Sequence, residues 1–237
     1  EEGALQSDKT PVVIYLHGFS LTDPAPYQAH IDHLTREGYL VVYPQFNLSN
    51  IFADTNQNTM LSRAIAATET ALTSLGGQAG PLHLFGHSLG GLLSAAWMGR
   101  GGPAVESATL ANPSTGGGAP SFVSITPIDW AAAAPATTAR TLLLTGDGDT
   151  IAAPSESVAL YGALTGASSR VVYEAHTDGR GSPGLDADHM SPIQSSGSIP
   201  NFLLQFFGGN AEQDAMDWRY YWAALDANLD GQRTVAF

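Results

Sequence analysis

Three residues of the chain have the types and the order needed for nucleophilic catalysis. Ser88 stands in "PLHLFGHSLGGLL" (81–93), between Gly86 and Gly90, where one apolar run stops and another begins. A serine hydroxyl attacks well only when a base takes its proton, and that base needs an orienting partner. The spacing G-x-S-x-G is weak on its own. It gains weight at a strand-to-helix junction, where a sharp turn strains the serine backbone and small residues on either side prevent clashes. "LLLTGDGDTIAAP" supplies an acid: Asp149 closes a G-x-x-D turn after a strand ending near Thr145, while Asp147, the alternative, lies inside the turn. "GLDADHMSPI" supplies a base, His189, on a long loop able to return over the sheet. His176 is closer to the preceding strand end and is its rival.

These residues need a scaffold that places strand ends together. Short apolar runs at 12–18, 39–44, 81–88, 105–112, 140–146 and 170–175 read as strands. Helical stretches are expected near 25–37, 57–75, 89–100 and 154–164, and the C-terminal third reads as helix and loop. Strands that are apolar almost throughout, alternating with helices, predict an α/β fold. Its mostly parallel, doubly wound sheet carries helices on both faces, in one domain spanning 1–237. Ligands in such sheets bind beyond the carboxyl ends of the strands, where His17-Gly18-Phe19, Ser88, Asp149 and His189 all fall.

With "HGF" at 17–19, "GHSLGG" at 86–91, "GDGD" at 146–149 and "DHM" at 188–190, the chain resembles the α/β-hydrolases over nearly its whole length. The resemblance implies a serine esterase or lipase, minimal and cutinase- or polyesterase-like. Ser88 would attack a carbonyl, His189 move the proton and Asp149 hold the imidazole. It also implies an oxyanion hole from the backbone N–H groups of Phe19 and Leu89. Two departures stand out. The antiparallel strands that lead many relatives look absent, and only 27 residues separate Asn112 from Arg140, where many carry a cap. No large cap domain is therefore expected, and an open site is, favouring accessible or bulky esters, lipids or polyesters. The same residues would serve a cofactor-free perhydrolase or haloperoxidase, or an amide or thioester hydrolase. A non-catalytic binding module ranks last, because every catalytic role has a candidate.

Composition narrows the partners. A net charge of −13, with Lys9 the single lysine, argues against nucleic acid and anionic membranes. No apolar stretch approaches the ~20 residues that span a bilayer. The chain has no cysteine, which removes disulfides and thiolate sites. No cofactor or metal is expected, and a monomer would suffice. The start at Glu1 without methionine suits a processed secretory chain or a trimmed one equally, and on the first reading secretion is expected over the cytoplasm.

Other residues receive plainer readings. His87 is read as packing, since adjacent side chains in a tight turn diverge, and His83 as a hydrogen-bonded core residue. His30 and His33 are read as a surface pair. Trp130 is either a substrate wall or a loop anchor, and Phe19 could also line the acyl site. Trp218, Trp222, Leu225 and Leu229 fall on one face of a helix. "DANLDG" (226–231) resembles half a calcium loop but reads better as a glycine-capped helix end. "NLS" (47–49) is formally a glycosylation acceptor, and "GGG" (116–118) is no phosphate loop.

Overall fold

A computed structural model of the chain describes residues 9–47, 54–119, 123–182, 184–194, 209 and 211–237. Six strands form one sheet: β1 Thr10–Leu16, β2 Leu40–Val42, β3 Ala79–His87, β4 Ser107–Ala111, β5 Arg140–Gly146 and β6 Ser169–Ala175. Their order is β2-β1-β3-β4-β5-β6 and every pairing is parallel. The sheet among the described residues is thus wholly, rather than mostly, parallel. Helices α1 (Gln28–Arg36), α2 (Gln57–Ser74), α3 (Leu89–Ala96), α4 (Trp130–Ala133), α5 (Pro154–Ala163) and α6 (Ala223–Leu229) surround it.

The period-two geometry of a strand explains why these runs are apolar throughout. In β1, Ile14 and Leu16 join a core with Leu61 of α2, Leu92 of α3 and Leu160 of α5. Val13 and Tyr15, pointing the other way, join a second core with Leu34 of α1 and Leu225 of α6. Both faces are covered, so an exposed polar position has no place in the strand.

From β1 the chain winds outward to β2, then returns past β1 to β3 and winds the opposite way to β6. The switch point lies between β1 and β3, where an open α/β sheet leaves a crevice at its carboxyl edge. "HGF" follows β1 and Ser88 follows β3, so the two segments flank that crevice.

The C-terminal helix departs from its expected face. Asp217–Trp222 forms a π turn ahead of α6, and the altered register leaves Trp218 45% exposed while Trp222, Leu225 and Leu229 are buried. Its end agrees with a glycine cap: Gly231 has φ +79°, and the Gln232 N–H donates to the Ala227 carbonyl at 2.9 Å. No described helix is long and apolar enough to cross a membrane.

Candidate active site

Ser88 sits where β3 must turn into α3, with φ 55° and ψ −117°, a backbone conformation that L residues rarely adopt. The turn is possible only because its neighbours lack side chains. A Cβ on Gly86 would stand 2.3 Å from the Gly90 carbonyl oxygen, and one on Gly90 would stand 2.0 Å from that of Leu16. The elbow is pinned from both sides. The Ser88 N–H donates to the Ala111 carbonyl at 3.0 Å, and the Ser88 carbonyl accepts from Leu92 at 3.1 Å and Ser114 at 3.2 Å.

The structure brings Ser88, His189 and Asp149 into one line. The Ser88 hydroxyl is 2.8 Å from His189 Nε2, and His189 Nδ1 is 2.7 Å from Asp149 Oδ2. Nδ1–H donates to the carboxylate, which leaves Nε2 free to accept the serine proton. The other carboxylate oxygen accepts the N–H groups of Ile151 at 2.8 Å and Ala152 at 2.7 Å, so its direction is fixed. Side-chain exposure is 2% for His189 and 0% for Asp149. The rival residues meet each other instead: His176 Nδ1 is 3.0 Å from Asp147 Oδ2, with side chains 73% and 36% exposed. Backbone donation from Thr177 is the main cause holding the Asp147 carboxyl below its ordinary value.

The "HGF" loop is held from two directions. Ser20, with φ 64°, donates its N–H to Asn47 Oδ1 at 2.6 Å, and Gly18 donates its N–H to the Tyr27 hydroxyl at 3.0 Å. Among the described residues, the N–H groups of Phe19 and Leu89 make no hydrogen bond. The Phe19 side chain is buried in the same core as Leu89, and Trp130 opens α4 half-buried against that core. The Asn47 side chain is buried and donates to the Asp54 carboxylate, which leaves no free amide for a glycan. Leu48 and Ser49 of that motif lie outside the described residues.

Three expectations need correction. Among the described residues the site has no large cap, yet the serine is not open to solvent: Ser88 is only 2% exposed. Gly118 lies against it: a Cβ there (φ +63°) would stand 2.3 Å from the serine oxygen. Secondly, His30 and His33 are not a surface pair. His30 is buried, its Nδ1 3.0 Å from the Tyr15 hydroxyl, while His33 pairs with Asp226 at 2.9 Å. Burial pushes the His30 pKa down to about 3. Thirdly, His87 does more than pack, since both its nitrogens have polar partners. His83 does behave as a bonded core residue, its Nδ1 2.8 Å from the Ser107 hydroxyl.

Some residues of the site carried no sequence signal. Asn112, with φ 44° just past β4, donates to the Asp188 carbonyl at 2.8 Å and accepts from the Tyr221 hydroxyl at 3.2 Å. A polar residue closing an apolar strand was its only trace. Tyr27 had none, because its partner His87 is 60 residues away. Among the described residues no group of histidines and carboxylates is arranged to hold a metal ion.

No protein-family model and no curated protein sequence matches this chain. Solved structures do. An esterase of Pyrococcus furiosus superposes with TM-score 0.63 at 13% identity, covering 96% of this chain and 82% of its own. A monoacylglycerol lipase of Paleococcus ferrophilus gives TM-score 0.55 at 18% identity, over 84% of this chain and 93% of its own. An acylaminoacyl peptidase of Pyrococcus horikoshii gives TM-score 0.57 at 14% identity, over 79% of this chain but 34% of its own. With its parallel sheet, its elbow after β3 and these neighbours, the chain has the α/β-hydrolase fold.

Proposed function

We propose that the protein hydrolyses carboxylic esters through an acyl-enzyme on Ser88. The observation that carries this reading is the buried line from Asp149 through His189 to the Ser88 hydroxyl, with both links at hydrogen-bond distance. His189 Nε2 takes the hydroxyl proton as Oγ bonds to the ester carbonyl carbon. The tetrahedral oxyanion accepts hydrogen bonds from the N–H groups of Phe19 and Leu89, the latter at the amino end of α3. As the C–O bond breaks, the alcohol leaves with the proton from Nε2. Water then gives a proton to His189, attacks the acyl carbon and releases the acid, returning the proton to Ser88. Asp149 keeps the imidazole in the tautomer that this cycle needs.

The cover over Ser88 bears on substrate choice. Gly118 lies against the Ser88 hydroxyl and narrows the space beside it, and on this reading short acyl chains are favoured. Lipids or polyesters would require the Gly117–Gly118 segment to move aside, and Trp130 and Phe19 are then the candidate walls. Hydrolysis of a chromogenic ester series with short to long acyl chains tests the reading. The parent should turn over the shortest esters fastest, and Ser88→Ala or organophosphonate-treated protein should be inert. A Ser88→Ala variant as active as the parent overturns the mechanism. Turnover of amides or thioesters in preference to esters would move the activity to those substrates while keeping the same residues.

A further inference from the structure

His87 is next to the nucleophile in sequence, yet its imidazole reaches two partners that the acyl-transfer cycle does not use. Nε2 is 2.9 Å from the His189 carbonyl oxygen, and Nδ1 is 2.8 Å from the Tyr27 hydroxyl. We propose that His87 is a positioning residue that, together with Tyr27, ties the oxyanion loop to the segment carrying the base. The proposal rests on the Ser88–His189 reading above.

Donor directions follow without choice. A carbonyl oxygen only accepts, so His87 Nε2 carries the proton and donates it to His189. Nδ1 of the neutral ring must then accept, so the Tyr27 hydroxyl donates to it. The Tyr27 oxygen is left to accept the Gly18 N–H at 3.0 Å. The result is a satisfied chain from Gly18 through Tyr27 and His87 to the backbone of His189, with all four residues buried. Burial pushes the His87 pKa down to about 3, so the ring keeps one proton in this pattern at neutral pH.

Its two ends matter to the chemistry. At one end the Gly18 amide is fixed beside Phe19, a proposed oxyanion donor. At the other, the His189 carbonyl is fixed by His87 and, at 3.4 Å, by the Asn112 side chain. The imidazole of His189 is thereby aimed through its own backbone as well as by Asp149. A neutral His87, its ring centroid 5.2 Å from that of His189, also spares the developing imidazolium a like charge. Buried chains of this sort hold geometry best when every member is satisfied.

Ester kinetics with three single variants and one double variant test the coupling, with thermal melting to establish that each is folded. His87→Leu fills the space without hydrogen bonds and should lower kcat about 10- to 100-fold with little change in KM, the cost of a misaimed base. His87→Gln, which can still donate to the His189 carbonyl, should recover most of that loss. Tyr27→Phe should slow the parent several-fold but add nothing to His87→Leu, because both break one chain. Parent-like kcat in His87→Leu, a His87→Gln no faster than His87→Leu, or losses that multiply in the double variant each overturn the proposal. The outcome for Ser88→Ala keeps the two readings apart: an active Ser88→Ala refutes the acyl-enzyme itself, whereas an inert one beside a fast His87→Leu refutes only the coupling.

Discussion

The molecule contains two histidine–aspartate pairs that begin from almost the same turn. Asp147 and Asp149 are two residues apart in "GDGD", and each meets a histidine from the chain that follows β6, at 3.0 and 2.7 Å. Distance does not separate them. Surroundings do: His176 and Asp147 face water, whereas His189 and Asp149 are buried and the second nitrogen of His189 ends on a serine. An exposed pair is screened and contributes about 0–1 kcal/mol. A buried pair fixes a tautomer and a direction, because its alternatives are costly. The same two residue types therefore give an exposed surface pair in one place and, on the proposed mechanism, a proton-transfer device in the other.

Substitution of the two histidines tests this contrast most severely. His189→Ala should lose on the order of 10⁴- to 10⁶-fold in kcat, and His176→Ala should stay close to the parent. Comparable activities in the two variants would erase the distinction. The acids come next. Asp149→Asn should cost on the order of 10⁴-fold through the wrong tautomer, measured as kcat in steady-state ester hydrolysis, with Asp147→Asn nearly silent. Smaller again is Gly118→Ala, whose added methyl would press on the serine oxygen. A loss of about 10²-fold is expected, read as slower phosphonylation of Ser88 with the fold intact.

Acidification sharpens the contrast through stability. Burial holds the pKa of His17 and His83 down at about 4, and of His30 and His87 at about 3. Unfolded, each returns to about 6.5. Between those values only the unfolded chain binds the protons, so this stability is full above about pH 6.5 and is lost as pH falls toward 4 and then 3. Asp217, raised by burial to about 6, has the opposite sign: it favours the folded state at low pH and loses that contribution as pH rises through 6. Asp226, whose carboxyl burial also raises, acts in the same sense as Asp217, and the four histidines outweigh these two carboxyls at about 1.4 kcal/mol per pH unit for each fully titrating group. Thermal melting should therefore give a lower Tm at pH 5 than at pH 7. A flat Tm across this range would contradict the buried, neutral state of the histidines.

Ser88, Asp149 and His189 were legible in sequence because a parallel sheet gathers strand ends, and each residue follows a strand visible as an apolar run. The preference for Asp149 over Asp147 came from turn position alone; Asp149 Oδ2 lies 2.7 Å from His189 Nδ1, and Asp147 Oδ2 lies 3.0 Å from His176 Nδ1. Gly118 was not legible as a cover: a glycine run carries no periodicity, and the short span before Arg140 pointed to openness. His87 was misjudged because adjacency in sequence said only that it could not serve Ser88, and nothing nearby announced Tyr27. Trp218 was misplaced by one π turn, a local slip in register that spacing assumes away. Pairings that a motif marks at both ends could be read; one that no motif marks, such as Tyr27 with His87 across 60 residues, could not.

The serine and its base are 101 residues apart in the chain, and the Tyr221 hydroxyl that steadies Asn112 arrives 109 residues after it. Contacts of such long range form only after much chain entropy has been lost, which places them late in folding. On the proposed mechanism, the reactive serine is therefore an event as well as a place. On the same mechanism, a nascent or refolding chain that has built β1 to β5 still carries an inert hydroxyl until the segment bearing His189 docks. Labelling of Ser88 by a phosphonate, followed in time after dilution from denaturant, then becomes a clock for the last step of assembly.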